Sequence, residues 1–338
     1  MSAYGKWVPP PPGGAARTAV PFEKVKLRVF CVPGVGMGGW TCFQGWASQM
    51  PEGVELMPLE LPGRMMNPAQ LPYASSMQDL ACQALDGLGL QVLKARPFVL
   101  FGHSFGAWLV YEMYQELSRR AAVGSDWPLP LKVYVSANRA PQLAGRSNDP
   151  DKANPCLGQL SVDAFWPAFE ARYGCNPDLQ STYIRNMLQG VLQADFRLLE
   201  AYEPSSLEPL RVPLCAFCGW GDSRCRPEML SAWAEVGGAG FRERWFEGVL
   251  KPGAWATEHR YVLDSPESLL RFLRADLPEV GHGGEDCGGD TGVDGPTPGD
   301  APVDTKAFSP LALFRAFLLF LSRYFPFLRA LLPFARGG

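Results

Sequence analysis

Histidine is almost absent from this chain, three in 338 residues, so any chemistry that needs an imidazole has few places to find one. Charge of one sign is also lacking: 31 Lys+Arg against 34 Asp+Glu give a net charge of −3, which argues against a nucleic-acid binder held by a basic surface. The first 22 residues contain no acidic residue and no apolar core of a secretory signal. Nine cysteines stand at irregular spacings, which points to a reducing intracellular compartment, cytoplasm or an organelle, and to no disulfide framework. Cys215-Ala216-Phe217-Cys218 has C-x-x-C spacing, but inside a strand the two thiols would face opposite ways, and with no second pair nearby no metal site is expected. The glycine loop Pro33-Gly34-Val35-Gly36-Met37-Gly38-Gly39 lacks the Lys-Ser/Thr of a phosphate-binding loop.

What the chain does have is Phe101-Gly102-His103-Ser104-Phe105-Gly106-Ala107, a match to G-x-S-x-G. In that pattern a sharp strand-to-helix turn lifts a serine hydroxyl clear of a parallel sheet. The context agrees with the pattern. Pro97–Phe101 is a continuous apolar run, as in a strand buried on both faces. Ala107–Leu117 has no helix breaker and predicts a buried helix. Ser104 is therefore the candidate nucleophile.

A serine nucleophile needs a base and, commonly, a carboxylate that orients it. His103 lies inside the elbow, where the turn should aim its ring away from the hydroxyl. His282 lies in a Gly-rich acidic stretch that cannot hold a ring rigidly. His259 remains, on a loop after the alternating strand predicted at Phe241–Glu247. For the acid, Val212–Gly219 predicts the preceding buried strand, with Asp222 just past its carboxyl end, where active sites of open α/β sheets lie. An N-cap for the helix beginning at Pro227 is the competing role for Asp222. Ser104, Asp222 and His259 follow one another in the chain order of an α/β-hydrolase triad. The oxyanion would be met by two backbone N–H groups, one from Phe105 and one from Val35, in the loop after the first core strand, Leu27–Val32.

Five segments together resemble the type II thioesterases: Phe30–Pro33 with its glycine loop, Phe43–Trp46, Leu59–Arg64, Gly102–Ala107 and Ala194–Tyr202. The resemblance covers roughly residues 25 to 275. It implies an α/β-hydrolase fold, a mostly parallel central sheet flanked by helices with an inserted helical lid. It also implies hydrolysis of an acyl thioester from the phosphopantetheine arm of an acyl or peptidyl carrier protein, in polyketide, nonribosomal peptide or fatty acid biosynthesis. Ser104 would carry the acyl group, His259 and Asp222 would complete the triad, Val35 and Phe105 would line the oxyanion hole, and no cofactor of the enzyme's own would be needed. The chain departs from the family around the base, with an apparent insertion at Val249–Trp255 and Ala256-Thr257-Glu258 before His259. It also has Pro33-Gly34-Val35 where the family often has Pro-His-Ala. An esterase or lipase acting on membrane-associated esters shares the same machinery, and some chains of this fold are receptors or scaffolds without turnover.

The chain divides into a Pro/Gly-rich flexible tail at 1–22, a catalytic domain at 23–278, an acidic disordered linker at 279–306 and an apolar segment at 307–338. Residues 140–208 are too many for a simple crossover and are expected to form the lid. Phe165, Trp166, Phe169 and Tyr173, and then Ile184, Leu188, Val191, Asp195, Leu198, Leu199 and Tyr202, recur at helical spacing. Most should pack on the main domain, and a minority should line the acyl pocket. In the C-terminal segment Arg315, Ser322, Arg323, Arg329 and Arg336 fall on one helical arc among leucines and aromatics. Prolines and arginines interrupt the run, so a helix lying in an anionic membrane surface through 307–336, or docked on a protein, is expected in place of a span.

Overall fold

The computed structural model describes residues 3–10, 21–124, 126–176, 179–247 and 258–279. Six strands form one all-parallel sheet: β1 Leu27–Val32, β2 Val54–Pro58, β3 Phe98–His103, β4 Val133–Ser136, β5 Leu214–Gly219 and β6 Phe241–Phe246, in the order β2-β1-β3-β4-β5-β6. The helices that matter to the site are α1 Ala3–Trp7, α2 Met77–Leu88, α3 Phe105–Ala122, α4 Val162–Tyr173, α5 Thr182–Glu200 and α6 Glu267–Asp276. β1, β3, β4 and β5 are buried throughout, as expected of parallel strands covered by helices on both faces. β6 lies at one edge, and Arg242, Glu243 and Arg244 stand exposed along it, which discourages pairing with another chain.

Strand order places the chemistry. The chain leaves β1 for the edge strand β2, then returns to the other side of β1 as β3, so the order reverses between β1 and β3. At such a reversal the loops from the two carboxyl ends diverge and leave a crevice between them. Val32 pairs with Gly102 across that junction. The glycine loop after β1 and the elbow after β3 therefore emerge side by side.

Between β4 and β5 the chain forms α4 and α5, the two main helices of the segment expected to be a lid. Leu157, Phe165, Trp166, Phe169, Leu192 and Phe196 form a second apolar cluster of their own, with Val35, Tyr173 and Leu188 packed against it. Much of the aromatic stripe thus packs within the lid and does not fill the main core. Val35 joins that cluster to the glycine loop.

Residues 3–10 differ from the flexible tail expected at 1–22, whose residues 1–2 and 11–20 lie outside the described residues. Ala3–Trp7 is helical, and Trp7 and Val8 are buried. Trp7 lies so close to Gly87 on α2 that a Cβ there would sit 1.9 Å from its indole Nε1. The Glu60 N–H donates to the Trp7 carbonyl at 2.8 Å, and the Trp40 indole N–H to the Pro9 carbonyl at 2.8 Å. Two large apolar side chains ahead of the proline run are sufficient to dock it, since burying each is worth about 1.5–3 kcal/mol. Among the described residues no helix is long and apolar enough to cross a membrane. The linker at 279–306 (save Glu279), the C-terminal segment at 307–338, His282 and the insertion at 249–255 lie outside the described residues.

Candidate active site

Ser104 sits between the end of β3 and the first residue of α3 with φ 54° and ψ −118°. A serine in that region is strained, at a cost of order 1–3 kcal/mol, and the surrounding backbone enforces it. A Cβ on Gly102 would lie 2.0 Å from the Gly106 carbonyl oxygen, and one on Gly106 would lie 2.3 Å from the Val32 carbonyl oxygen. Strand, elbow and helix meet here backbone to backbone. The Ser104 N–H donates to the Ser136 carbonyl at 2.7 Å, and the Ser104 carbonyl accepts from the Asn138 side-chain amide at 3.0 Å.

The three residues singled out in the sequence come together in space. His259 Nε2 is 2.9 Å from Ser104 Oγ, and His259 Nδ1 is 2.9 Å from Asp222 Oδ2. The acid lies under the base: the Asp222 side chain is fully buried and the His259 ring keeps 21% of its surface exposed. Burial pushes the Asp222 carboxyl up, but the His259 ring, the Arg224 N–H at 2.8 Å and the Cys218 thiol at 3.4 Å outweigh it, and the group lies below its ordinary value. An ionised Asp222 accepts a proton-bearing Nδ1, which leaves the Nε2 lone pair facing the serine hydroxyl. Arg226 and not Asp222 occupies the N-cap position of the helix beginning at Pro227, so that competing role does not draw the carboxylate away from the imidazole.

The base loop is held at several points. Tyr261 OH and Ser136 Oγ are 2.6 Å apart, and the Trp46 indole N–H donates to the Val262 carbonyl at 3.0 Å. A Cβ on Gly219, at the end of β5, would fall 2.2 Å from the Glu258 carbonyl oxygen. That glycine is what allows the base loop to lie against the strand that delivers the acid. A small cavity beside the base is lined by Asp222, Arg224 and His259 together with Arg172 and Tyr173 of α4, so the lid does reach the site.

The two residues expected to donate to the oxyanion lie in elements that flank the nucleophile, Val35 in the glycine loop and Phe105 at the start of α3. Phe105 begins α3 directly after Ser104, and a Cβ on Gly34 would stand 3.5 Å from the Ser104 Cβ, which places the glycine loop against the nucleophile. Among the described residues neither the Val35 nor the Phe105 N–H has a protein acceptor. Sequence reasoning did not find Ser136, Asn138, Cys218 or Tyr261. Asn138 follows β4 just as Asp222 follows β5, so its place at the active edge was readable, but an amide carries no motif.

His103 is buried and points away from the serine hydroxyl, with its Nδ1 3.0 Å from Ser136 Oγ and its ring centroid 5.3 Å from that of His259. Burial depresses its imidazole well below the usual value, and the nearby charges of His259 and Arg260 add to this. It is neutral in the folded protein, whereas in the unfolded chain it titrates near its ordinary pKa of about 6.5. Below that pH the unfolded state takes up a proton that the folded state refuses. Stability should then fall with decreasing pH by up to about 1.4 kcal/mol per pH unit from this one group, until its folded pKa is reached. Urea unfolding at pH 7.5 and 5.5 checks this: His103→Gln should show a shallower loss between the two than the wild type, and equal losses would contradict it.

The thioesterase-domain family model matches residues 27–277. The gramicidin S biosynthesis protein GrsT of Aneurinibacillus migulanus is 28% identical over 254 residues, 73% of this chain and 88% of that protein. The medium-chain S-acyl fatty acid synthase thioesterase of Rattus norvegicus is 27% identical over 125 residues, 37% of this chain and 44% of that protein. Among solved structures, the RedJ thioesterase from the prodiginine biosynthetic pathway in Streptomyces coelicolor is similar with a TM-score of 0.64 and 28% identity, covering 81% of this chain and 99% of that one.

Proposed function

The chain belongs to the thioesterase family and is a thioester hydrolase, and from that premise we propose that it releases acyl groups from the phosphopantetheine arm of an acyl or peptidyl carrier protein through an acyl-enzyme on Ser104. The observation that carries this reading is the continuous chain from Ser104 Oγ to His259 to Asp222, with 2.9 Å at each step. In the proposed sequence Ser104 Oγ attacks the thioester carbonyl carbon as its proton passes to His259 Nε2. The carbonyl oxygen becomes an oxyanion facing the N–H groups of Phe105 and Val35. Collapse breaks the C–S bond, and the departing thiolate takes the proton from His259. A water molecule, deprotonated by the same nitrogen, then attacks the Ser104 ester carbonyl, the acyl C–Oγ bond breaks as Oγ takes that proton back from Nε2, and the acid product leaves. Asp222 stays ionised throughout and stabilises the imidazolium.

The relatives named for gramicidin S and prodiginine biosynthesis support a place beside an assembly line that carries its intermediates as thioesters on carrier proteins. Offering the purified enzyme an acyl-carrier-protein thioester, the matching acyl-CoA and the matching oxygen ester tests the substrate. The carrier-bound thioester should show the highest kcat/KM. A preference for the oxygen ester would move the reading to an esterase, and turnover of none of the three would remove the enzymatic reading.

A further inference from the structure

One buried charge cluster has no part in the steps above. Asp195, on the inner face of lid helix α5, has no exposed surface. Its Oδ2 accepts the Gly36 N–H at 2.6 Å. The Arg64 guanidinium grips the same carboxylate with two prongs, Nη2 at 2.5 Å and Nη1 at 3.1 Å, and the Tyr73 hydroxyl donates to Oδ1. Arg64 in turn donates to the carbonyls of Met37 at 3.3 Å and Pro62 at 3.0 Å. The ion pair thus holds the glycine loop at two places, Gly36 through its N–H and Met37 through its carbonyl. Leu192, one turn before Asp195, closes over the same glycine: Gly36 has φ 71°, and a Cβ on it would lie 2.3 Å from Leu192 Cδ2. Farther along, Glu60 accepts the Gly39 N–H at 2.8 Å.

A glycine-rich loop has no stiffness of its own. The Met37 N–H to Gly34 carbonyl bond at 3.2 Å makes a single turn of residues 34–37, and the direction of the Val35 N–H depends on how that turn is held. Stability alone gives little reason for an ion pair here, because apolar residues of similar volume commonly replace buried pairs without loss. A leucine could not hold a peptide N–H in one direction.

We propose that Asp195 is a positioning residue for the oxyanion loop: by holding the Gly36 N–H it fixes the 34–37 turn and keeps the Val35 N–H turned toward the oxygen that develops charge beside Ser104. The assignment rests on the hydrolytic reading given above. It also makes the lid helix part of the oxyanion machinery, since the carboxylate that sets the loop comes from α5.

The test compares wild type, Asp195→Asn and Arg64→Lys in the full chain. A small alkylboronic acid such as butylboronic acid, which adds to a serine hydroxyl to give a tetrahedral anion, reports on the oxyanion hole. Steady-state hydrolysis of an acyl-carrier-protein thioester reports kcat and KM. For Asp195→Asn, boronate affinity and kcat should fall together by about 10²-fold, the scale of one lost oxyanion donor, with KM within about threefold of wild type. Arg64→Lys keeps the charge and loses the fork, and should lose about tenfold in both. It serves alone if Asp195→Asn does not fold. Either folded variant keeping wild-type boronate affinity and kcat would overturn the proposal, as would a loss confined to KM. A wild type that forms no boronate adduct at Ser104 would overturn the nucleophile reading, and this assignment with it. That outcome is distinct from a normal wild type with unaffected variants.

Discussion

Ser104→Ala is expected to lower kcat/KM on an acyl thioester by about 10⁴-fold or more, and His259→Ala by nearly as much, with the double variant no slower than the slower single one. The non-additivity follows from the geometry. In the proposed acylation His259 has one task, which is to take the proton from Ser104 Oγ, 2.9 Å from its Nε2. Once the hydroxyl is gone the imidazole has nothing to deprotonate, and once the imidazole is gone the hydroxyl stays a weak nucleophile. Binding and the oxyanion donors would remain and sustain a small residual rate over water. Both side chains are half-buried and stand outside the apolar core, so thermal unfolding should shift little in either variant. The measurement is release of free thiol, with enzyme concentration raised to reach the slow variants. Either single variant retaining a tenth of the wild-type rate would contradict the assignment.

Gly102→Ala is expected to abolish folding, with a loss above about 4 kcal/mol, against a total stability of about 5–15 kcal/mol for a domain of ordinary kind. The added carbon would stand 2.0 Å from the Gly106 carbonyl oxygen, 2.4 Å from its carbon and 2.8 Å from the Ala107 nitrogen. All three are backbone atoms of the first turn of α3. A flexible side chain could swing aside, but a helix start pinned to the sheet cannot. Relief would require prising α3 from β3, which would also carry Ser104 away from His259. Gly124→Ala is the matched control: its Cβ meets nothing within 4 Å, and at φ 81° only the left-handed backbone is penalised, by about 1–2 kcal/mol. Urea unfolding and soluble yield compare the two. Wild-type stability in Gly102→Ala would mean that the elbow is looser than this packing.

The legible parts of the fold are those whose signal is local. β1, β3 and β5 are apolar runs because both faces are covered, and their contrast with the flanking loops marks them. β2 is less visible: it carries Glu55, whose charge is met by Arg28 at 2.8 Å on the neighbouring strand, a partner that only the sheet reveals. α1 is hidden behind a proline run, and its docking depends on a gap over Gly87 that no spacing encodes. At the site, Ser104 came from the elbow, His259 from the shortage of histidine, and Asp222 from its place past a strand. Asp195 is the opposite case. It stands in an apolar helical stripe, where a carboxylate is an anomaly, but its partners Arg64 and Gly36 lie 131 and 159 residues away in the chain. The stripe was readable as a lid helix. The clamp required the fold.

The central claim is that an acyl group passes through Ser104. Its most direct measurement is acid quenching of the enzyme within its first turnovers on an acyl-carrier-protein thioester, followed by digestion and mass analysis of the peptide that contains the elbow. The account predicts that peptide heavier by the acyl group, with the label on Ser104, rising before the acid product appears and absent from Ser104→Ala. Steady hydrolysis with no acyl label at Ser104, or with the label on another residue, would contradict it.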